Sequence, residues 1–142
     1  MRFISDFRRL NKRIKQKPFP IPKIQAMLLK LKGFKYATSL DLNMGYYHIK
    51  LSPNSKRLCT IVLPWGKYEY QRLPMSLCNS PDIFQEKMSS LMRDLEYVRA
   101  YIDDLLVITA GSFQDHLDKL KVVLGKLLKA GLKVNAKKSF FA

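Results

Sequence analysis

Two adjacent carboxylates, Asp103 and Asp104, interrupt the apolar run Tyr101-Ile102-Asp103-Asp104-Leu105-Leu106-Val107-Ile108. Local conformation does not favour them there: two-residue hairpin turns prefer Gly or Asn at positive φ, and Asp ranks low in strands. Electrostatics disfavours them too, since neighbouring like charges raise one pKa unless something compensates. A divalent cation is such a compensator, and Mg²⁺ is commonly held by one or two carboxylates together with water and substrate phosphates. A third carboxylate, Asp41, stands inside the apolar alternation Ser39-Leu40-Asp41-Leu42, where a charged residue needs a reason. If a strand over 37–42 lies beside 101–109, Asp41 and Asp103 can share a metal site. Two ions roughly 3.5–4 Å apart would then clamp the attacking and leaving oxygens of a phosphoryl transfer. An Asp-Asp pair alone is more often a solvated turn. Asp41, the apolar flanks and the charge distribution together move the reading towards metal chemistry.

The charge distribution points the same way. The chain of 142 residues carries 26 Lys and Arg against 11 Asp and Glu, a formal net charge of +15. Residues 1–40 hold eleven of the basic residues and one acid, Asp6, so most of the excess sits at one end. A merely soluble surface mixes the signs, whereas phosphates of a nucleic acid or nucleotide would be drawn to such an edge. No apolar run is long enough to span a bilayer, and Met1–Leu10 lacks the hydrophobic centre of a secretory leader. Cys59 and Cys78 show no CxxC spacing, which fits a reducing compartment and no zinc site.

Residues 17–22, with three prolines, are extended. Pro22 opens a helix with Ile24, Leu28 and Leu31 on one face, stopped at Gly33. Residues 36–42 read as a strand that 46–51 continues or returns. Residues 60–63 and 68–73 flank Pro64-Trp65-Gly66-Lys67 as a hairpin. Asn79 or Ser80 caps a helix with Pro81 at its first position and a stripe of Phe84, Met88, Leu91 and Leu95. Strands over 97–102 and 105–109 surround the two acids. Ser112 caps a helix ending at Gly131, with Phe113, Leu117, Leu120, Leu124, Leu127 and Leu128 facing inward. Residues 132–135 form a last strand. This order predicts an α+β fold, helices packed on one face of a mainly antiparallel sheet.

Tyr101-Ile102-Asp103-Asp104 resembles the YxDD box of reverse transcriptases, and its neighbours agree in order. Asp6 to Asn11 resembles the basic fingers motif; Pro20-Ile21-Pro22 and Leu40-Asp41-Leu42 through Gly45-Tyr46 resemble the first catalytic block. Pro64 to Tyr70 with Leu73-Pro74 resembles the hairpin and following turn. Asn79-Ser80-Pro81 with Phe84-Gln85 resembles the helix behind the site. His116-Leu117, Gly131 to Asn135 and Lys138 resemble the end of the palm. The set is similar to the gypsy-type long-terminal-repeat retrotransposon branch.

The resemblance implies an RNA-directed DNA polymerase of a retrotransposon polyprotein, with a right-hand palm on a ferredoxin-like core. Residues 1–36 would be partial fingers and 37–142 palm, with a fingers-like hairpin insertion near 55–73. The thumb, connection and RNase H would lie outside the chain, making it a fragment of a polyprotein or a truncated gene. It would add deoxynucleotides to a primer 3′ end on an RNA or DNA template, using two Mg²⁺ ions, with Mn²⁺ as a substitute. Asp41, Asp103 and Asp104 would be the catalytic, metal-holding carboxylates, with the Leu42 backbone carbonyl as a further metal contact. Tyr46, Arg2 and Met75 would meet the nucleotide, Tyr46 as the wall that disfavours a 2′-hydroxyl. Arg8, Lys12 and Tyr101 would meet template or primer. Asn79 and Gln85 read as capping or packing residues. Partners would be template-primer, deoxynucleoside triphosphates and the thumb, RNase H and integrase of the polyprotein, but no membrane. The location would be a cytoplasmic virus-like particle or the nucleus. Met75-Ser76 departs from the usual Phe-Gly or Gln-Gly, and Ser76 would be strained if its backbone required positive φ. Ile61-Val62 departs from an alanine followed by an aromatic. A non-catalytic nucleic-acid-binding remnant is the alternative. A nucleotide cyclase is disfavoured for lack of its Gly-Gly-Asp/Glu-Glu-Phe turn, and a purely structural domain leaves the ordered motifs unexplained.

Overall fold

The computed structural model describes residues 4–20, 33–42 and 44–142. In chain order the elements are α1 (Arg8–Asn11), β1 (Tyr36–Asp41), a 3-10 turn (Gly45–His48), α2 (Pro53–Leu58), β2 (Thr60–Leu63), β3 (Gly66–Glu69), α3 (Ser80–Leu91), β4 (Val98–Tyr101), β5 (Asp104–Thr109) and α4 (Phe113–Lys129). β1, β5 and β4 form an antiparallel sheet in that order, and β2 pairs with β3 as a separate hairpin. Directly paired residues share a sheet face. The pairs Thr38↔Val107, Leu40↔Leu105 and Val98↔Val107 therefore mark one face, and all five residues are buried. α3 packs on β4, and α4 on β5 and β1. Phe84, Met88, Val123 and Leu127 close the core over Leu40, Leu105 and Val107. This is the expected α+β arrangement.

Several expected elements take another form. Residues 46–51 are not a strand. Met44 turns the chain at φ 52 and the 3-10 turn follows, leaving only a single bridge from Lys50 to Arg72. Gly45 is required there, because a Cβ at that position would collide with the Phe84 ring. The hairpin turn is Pro64-Trp65 alone, and its second strand ends at Glu69. Residues 132–135 contribute one bridge, Val134 to Leu42, in place of a strand. α2 was not anticipated, although its signal is in the sequence: Ser52 Oγ accepts from the Ser55 N–H, with Pro53 opening the helix.

α4 is rotated from the expected stripe. Its buried residues are His116, Leu120, Val123 and Leu127, while Phe113, Leu117, Leu124 and Leu128 are exposed. α3 buries Phe84, Gln85 and Met88 and leaves Leu91 half-buried. It starts where expected, but Asn79 gives no side-chain cap; Ser80 Oγ donates to the Pro74 carbonyl at 2.7 Å. Ser76 does not have positive φ, so no strain arises there. The expected helix after Pro22, and Arg2, lie outside the described residues. Residues 15–20 carry no regular structure, and the Phe19 N–H donates to Asp82 at 3.1 Å. Among the described residues no helix is long and apolar enough to cross a membrane.

Candidate active site

The register of the central sheet decides the site. Asp41 pairs with Asp104, and Asp104 with Tyr101. These three side chains stand in a row across three strands, on the face turned away from α3 and α4. Like charges directly opposite one another destabilise a sheet, so the fold gains nothing from this pair. Asp104 is exposed, yet the protein around its carboxyl strips part of its water. That desolvation, with the opposing Asp41 charge, pushes its pKa above the usual carboxylate value, and Lys138 pulls the other way. Asp103 occupies the turn between β4 and β5, its Oδ1 shielded from solvent. Its backbone carbonyl accepts the Leu42 N–H at 2.9 Å, which ties the acidic turn to the end of β1. Tyr46 lies below, buried, with its ring 5.3 Å from that of Phe84. Burial, and then the nearby Asp103 charge, push its phenol up to about 12.

The turn itself is strained. Ile102 has φ 51, a region that β-branched residues avoid at a cost of about 1–3 kcal/mol. Gln85, fully buried on α3, holds it there. Its Oε1 accepts the Ile102 N–H at 2.6 Å and its Nε2 donates to the Ala100 carbonyl at 2.9 Å. Both hydrogen bonds land on the strand end and turn that present Asp103 and Asp104. Asp41 is held from the other side. Its carbonyl accepts the Asn135 N–H at 2.8 Å, and its N–H donates to Ser139 Oγ at 3.1 Å.

The structure thus brings Asp41, Asp104 and Tyr101 together in one row and joins Asp103 and Leu42 through the backbone, with Tyr46 nearby. It does not bring Arg8 to them: that guanidinium is exposed and committed to Asp6 at 2.6 Å, and the pairing holds the Asp6 pKa down to about 2. Lys12 is likewise exposed, on the N-terminal segment. Met75 is half-buried against the core, in a turn fastened by Asn11, whose amide bonds the Ser76 carbonyl at 2.9 Å and the Cys78 N–H at 3.0 Å. Sequence reading gave Gln85, Asn135, Ser139 and Lys138 no part in the site. Only Gln85 carried a usable signal, a polar residue next to Phe84 on the apolar side of a helix.

Among the described residues no three His, Cys, Asp or Glu side chains are grouped as a ready metal cage. The donor chemistry nevertheless fits a hard cation. Mg²⁺ needs only one or two protein carboxylates when phosphates and water complete its shell, and the Asp41–Asp104 pair carries a repulsion, offset only in part by Lys138, that a cation would remove.

The family described as reverse transcriptase (RNA-dependent DNA polymerase) matches residues 1–142. The chain is 37% identical to the retrovirus-related Pol polyprotein from transposon opus of Drosophila melanogaster, covering 99% of this chain and 14% of that protein. It is 36% identical to the enzymatic polyprotein of Cestrum yellow leaf curling virus, covering 99% of this chain and 22% of the relative. It therefore spans less than a quarter of the length of these relatives. The prototype foamy virus protease–reverse transcriptase superposes at a TM-score of 0.87 with 29% identity, over 99% of this chain and 19% of that one. A foamy viral protease–reverse transcriptase in complex with an RNA/DNA hybrid matches at 0.87 and 26%, over 96% and 18%. With the family match running from end to end and the acidic hairpin in register with the carboxylate of β1, the chain belongs to the reverse transcriptase family.

Proposed function

We propose that this chain is the fingers–palm part of an RNA-directed DNA polymerase, transferring deoxynucleotides to a primer 3′ end on an RNA or DNA template. The single observation that carries this reading is the Asp41↔Asp104 register beside the Asp103 turn. In it, residues 1–36 are partial fingers and 37–142 palm, the palm carrying a fingers-like hairpin insertion near 55–73. Asp41, Asp103, Asp104 and the Leu42 carbonyl would hold two Mg²⁺ ions, which would supply Lewis-acid charge neutralisation at the phosphate. Tyr46, Met75 and Arg2 meet the nucleotide, while Arg8, Lys12 and Tyr101 meet template and primer. Thumb, RNase H and integrase belong to the rest of a polyprotein.

The test is primer extension by the chain joined to its downstream polyprotein domains. Asp103→Asn and Asp41→Asn should each lower the rate by about a thousandfold or more, since one metal contact is worth several kcal/mol and each 1.36 kcal/mol is tenfold. Circular dichroism should show both variants folded. Full extension by Asp103→Asn would remove that residue from the metal site. Template binding without any carboxylate-dependent extension in the unsubstituted protein would make it the non-catalytic remnant instead.

A further inference from the structure

Trp65 takes no part in the site above, and its surroundings invite a ligand. It stands at the tip of the β2–β3 hairpin, outside the central sheet. It is 74% exposed, as is Val62 on the same hairpin at 78%, in a chain that has no other tryptophan. Among the described residues no ring packs on it. Tyr68, half exposed, lies against Gly66. Val62 pairs with Lys67, so an ammonium stands beside the apolar surface. Lys56, Arg57 and Arg72 flank the hairpin in sequence, and Glu69 is the one acid between residues 53 and 72. At the base of the hairpin, Leu58 lines a groove with Arg9, Lys12, Arg13, Leu10 and Ile14, three cations around an apolar floor.

We infer that the hairpin tip is a stacking platform for unpaired nucleic acid, with Trp65 receiving a base and Lys67 and the basic groove following the phosphates. Charge selects this occupant. A second copy of a chain at +15 would bring like-charged surfaces together, whereas single strands combine π-faces with a polyanionic backbone and bind by stacking along basic grooves. The inference rests on the template-binding reading, and locates where the strand runs once it leaves the duplex.

The lone tryptophan reports the contact directly. Titrating the 142-residue chain with a single-stranded oligothymidylate or oligouridylate of about 12 nucleotides should quench Trp65 emission in step with the anisotropy of the labelled strand. Heparin, a polyanion without bases, should leave the emission unchanged. Trp65→Ala should weaken strand binding about five- to a hundredfold, the worth of one stacked base, and Trp65→Phe should recover most of it. Unchanged emission while anisotropy shows binding would overturn the platform, as would equal affinity in Trp65→Ala or no strand binding at all. Emission that shifts with protein concentration alone would place a second copy there and overturn it too. Full primer extension by Asp103→Asn with quenching intact would count against the carboxylate site alone, and loss of extension in Asp103→Asn without any quenching of Trp65 would count against the platform alone, so the two readings fail separately.

Discussion

At the scale of single residues, the acidic turn shows strain placed where chemistry is proposed. Asp103 and Asp104 need a tight two-residue reversal, and Ile102 at φ 51 absorbs it. A glycine would reach that angle without cost, so something must hold isoleucine there, and the buried amide of Gln85 does so with two hydrogen bonds. Gln85→Met keeps the volume and removes both bonds. It should destabilise the chain by about 2–3 kcal/mol, the cost of leaving a buried N–H and carbonyl unsatisfied. Ile102→Gly supplies the control, because glycine needs no clamp. In a double-mutant cycle read by urea unfolding, Gln85→Met should cost at least about 1 kcal/mol less in the Ile102→Gly background. Equal costs in both backgrounds would reduce Gln85 to packing. The sequence showed the carboxylates because charges between apolar runs are conspicuous. It marked Gln85 only as a packing residue beside Phe84, because the backbone groups it clamps are distant in sequence and are known only once its neighbours in space are.

At the scale of elements, α4 shows the limit of reading hydropathy. Its apolar residues are too many for one stripe, and a count of leucines selects the wrong rotation. His116 decides the matter. It is buried, and its ring nitrogens meet the Thr38 and Thr109 hydroxyls, each at 2.8 Å. Satisfying both nitrogens fixes which side of the helix faces β1 and β5, since a buried unpaired polar group costs more than a leucine left exposed. Burial lowers the His116 pKa, with Lys119 acting in the same direction and Asp115 against it. A histidine whose folded pKa lies below its unfolded value of about 6.5 contributes stability that is fully present above that pH and is lost as pH falls through it. The chain should therefore unfold more readily at pH 5.5 than at 7.5. His48 is shifted downward as well, so His116→Gln should flatten this dependence without abolishing it. Thermal midpoints at the two pH values measure it, and an unaltered slope in His116→Gln would assign the effect elsewhere.

At the scale of the whole molecule, two charge patterns oppose each other. The basic excess lies in residues 1–40 of the sequence, while the free face of the central sheet carries the Asp41–Asp104 pair. The meeting of these distant acids was legible only as a condition, that a strand over 37–42 lie beside the 101–109 hairpin, and the structure meets it with Asp41 directly opposite Asp104; the strand order itself had no signal in the sequence. The 3-10 turn after β1 was not legible either, since it depends on Gly45 letting Phe84 approach, a contact with no local trace. The carboxylate pair leaves a signature in global stability. Asp104 has a raised folded pKa, so this one group subtracts stability from the ion-free chain as pH climbs past the ordinary carboxylate range, against the opposite contributions of Asp6 and Asp94, whose carboxyls are held down by Arg8 and Lys126. A cation that binds only the folded state adds RT ln(1 + [L]/Kd), about 2.7 kcal/mol at a hundred times Kd. For a chain of this size that corresponds to a rise of about 8 °C in Tm. Asp104→Asn should then do two opposite things: raise the ion-free Tm slightly by removing the repulsion, and abolish most of the rise produced by Mn²⁺ or Mg²⁺. Calorimetry with and without the ion reads both. A variant that keeps the full ion-dependent rise would show that divalent ions bind this chain somewhere other than the paired carboxylates.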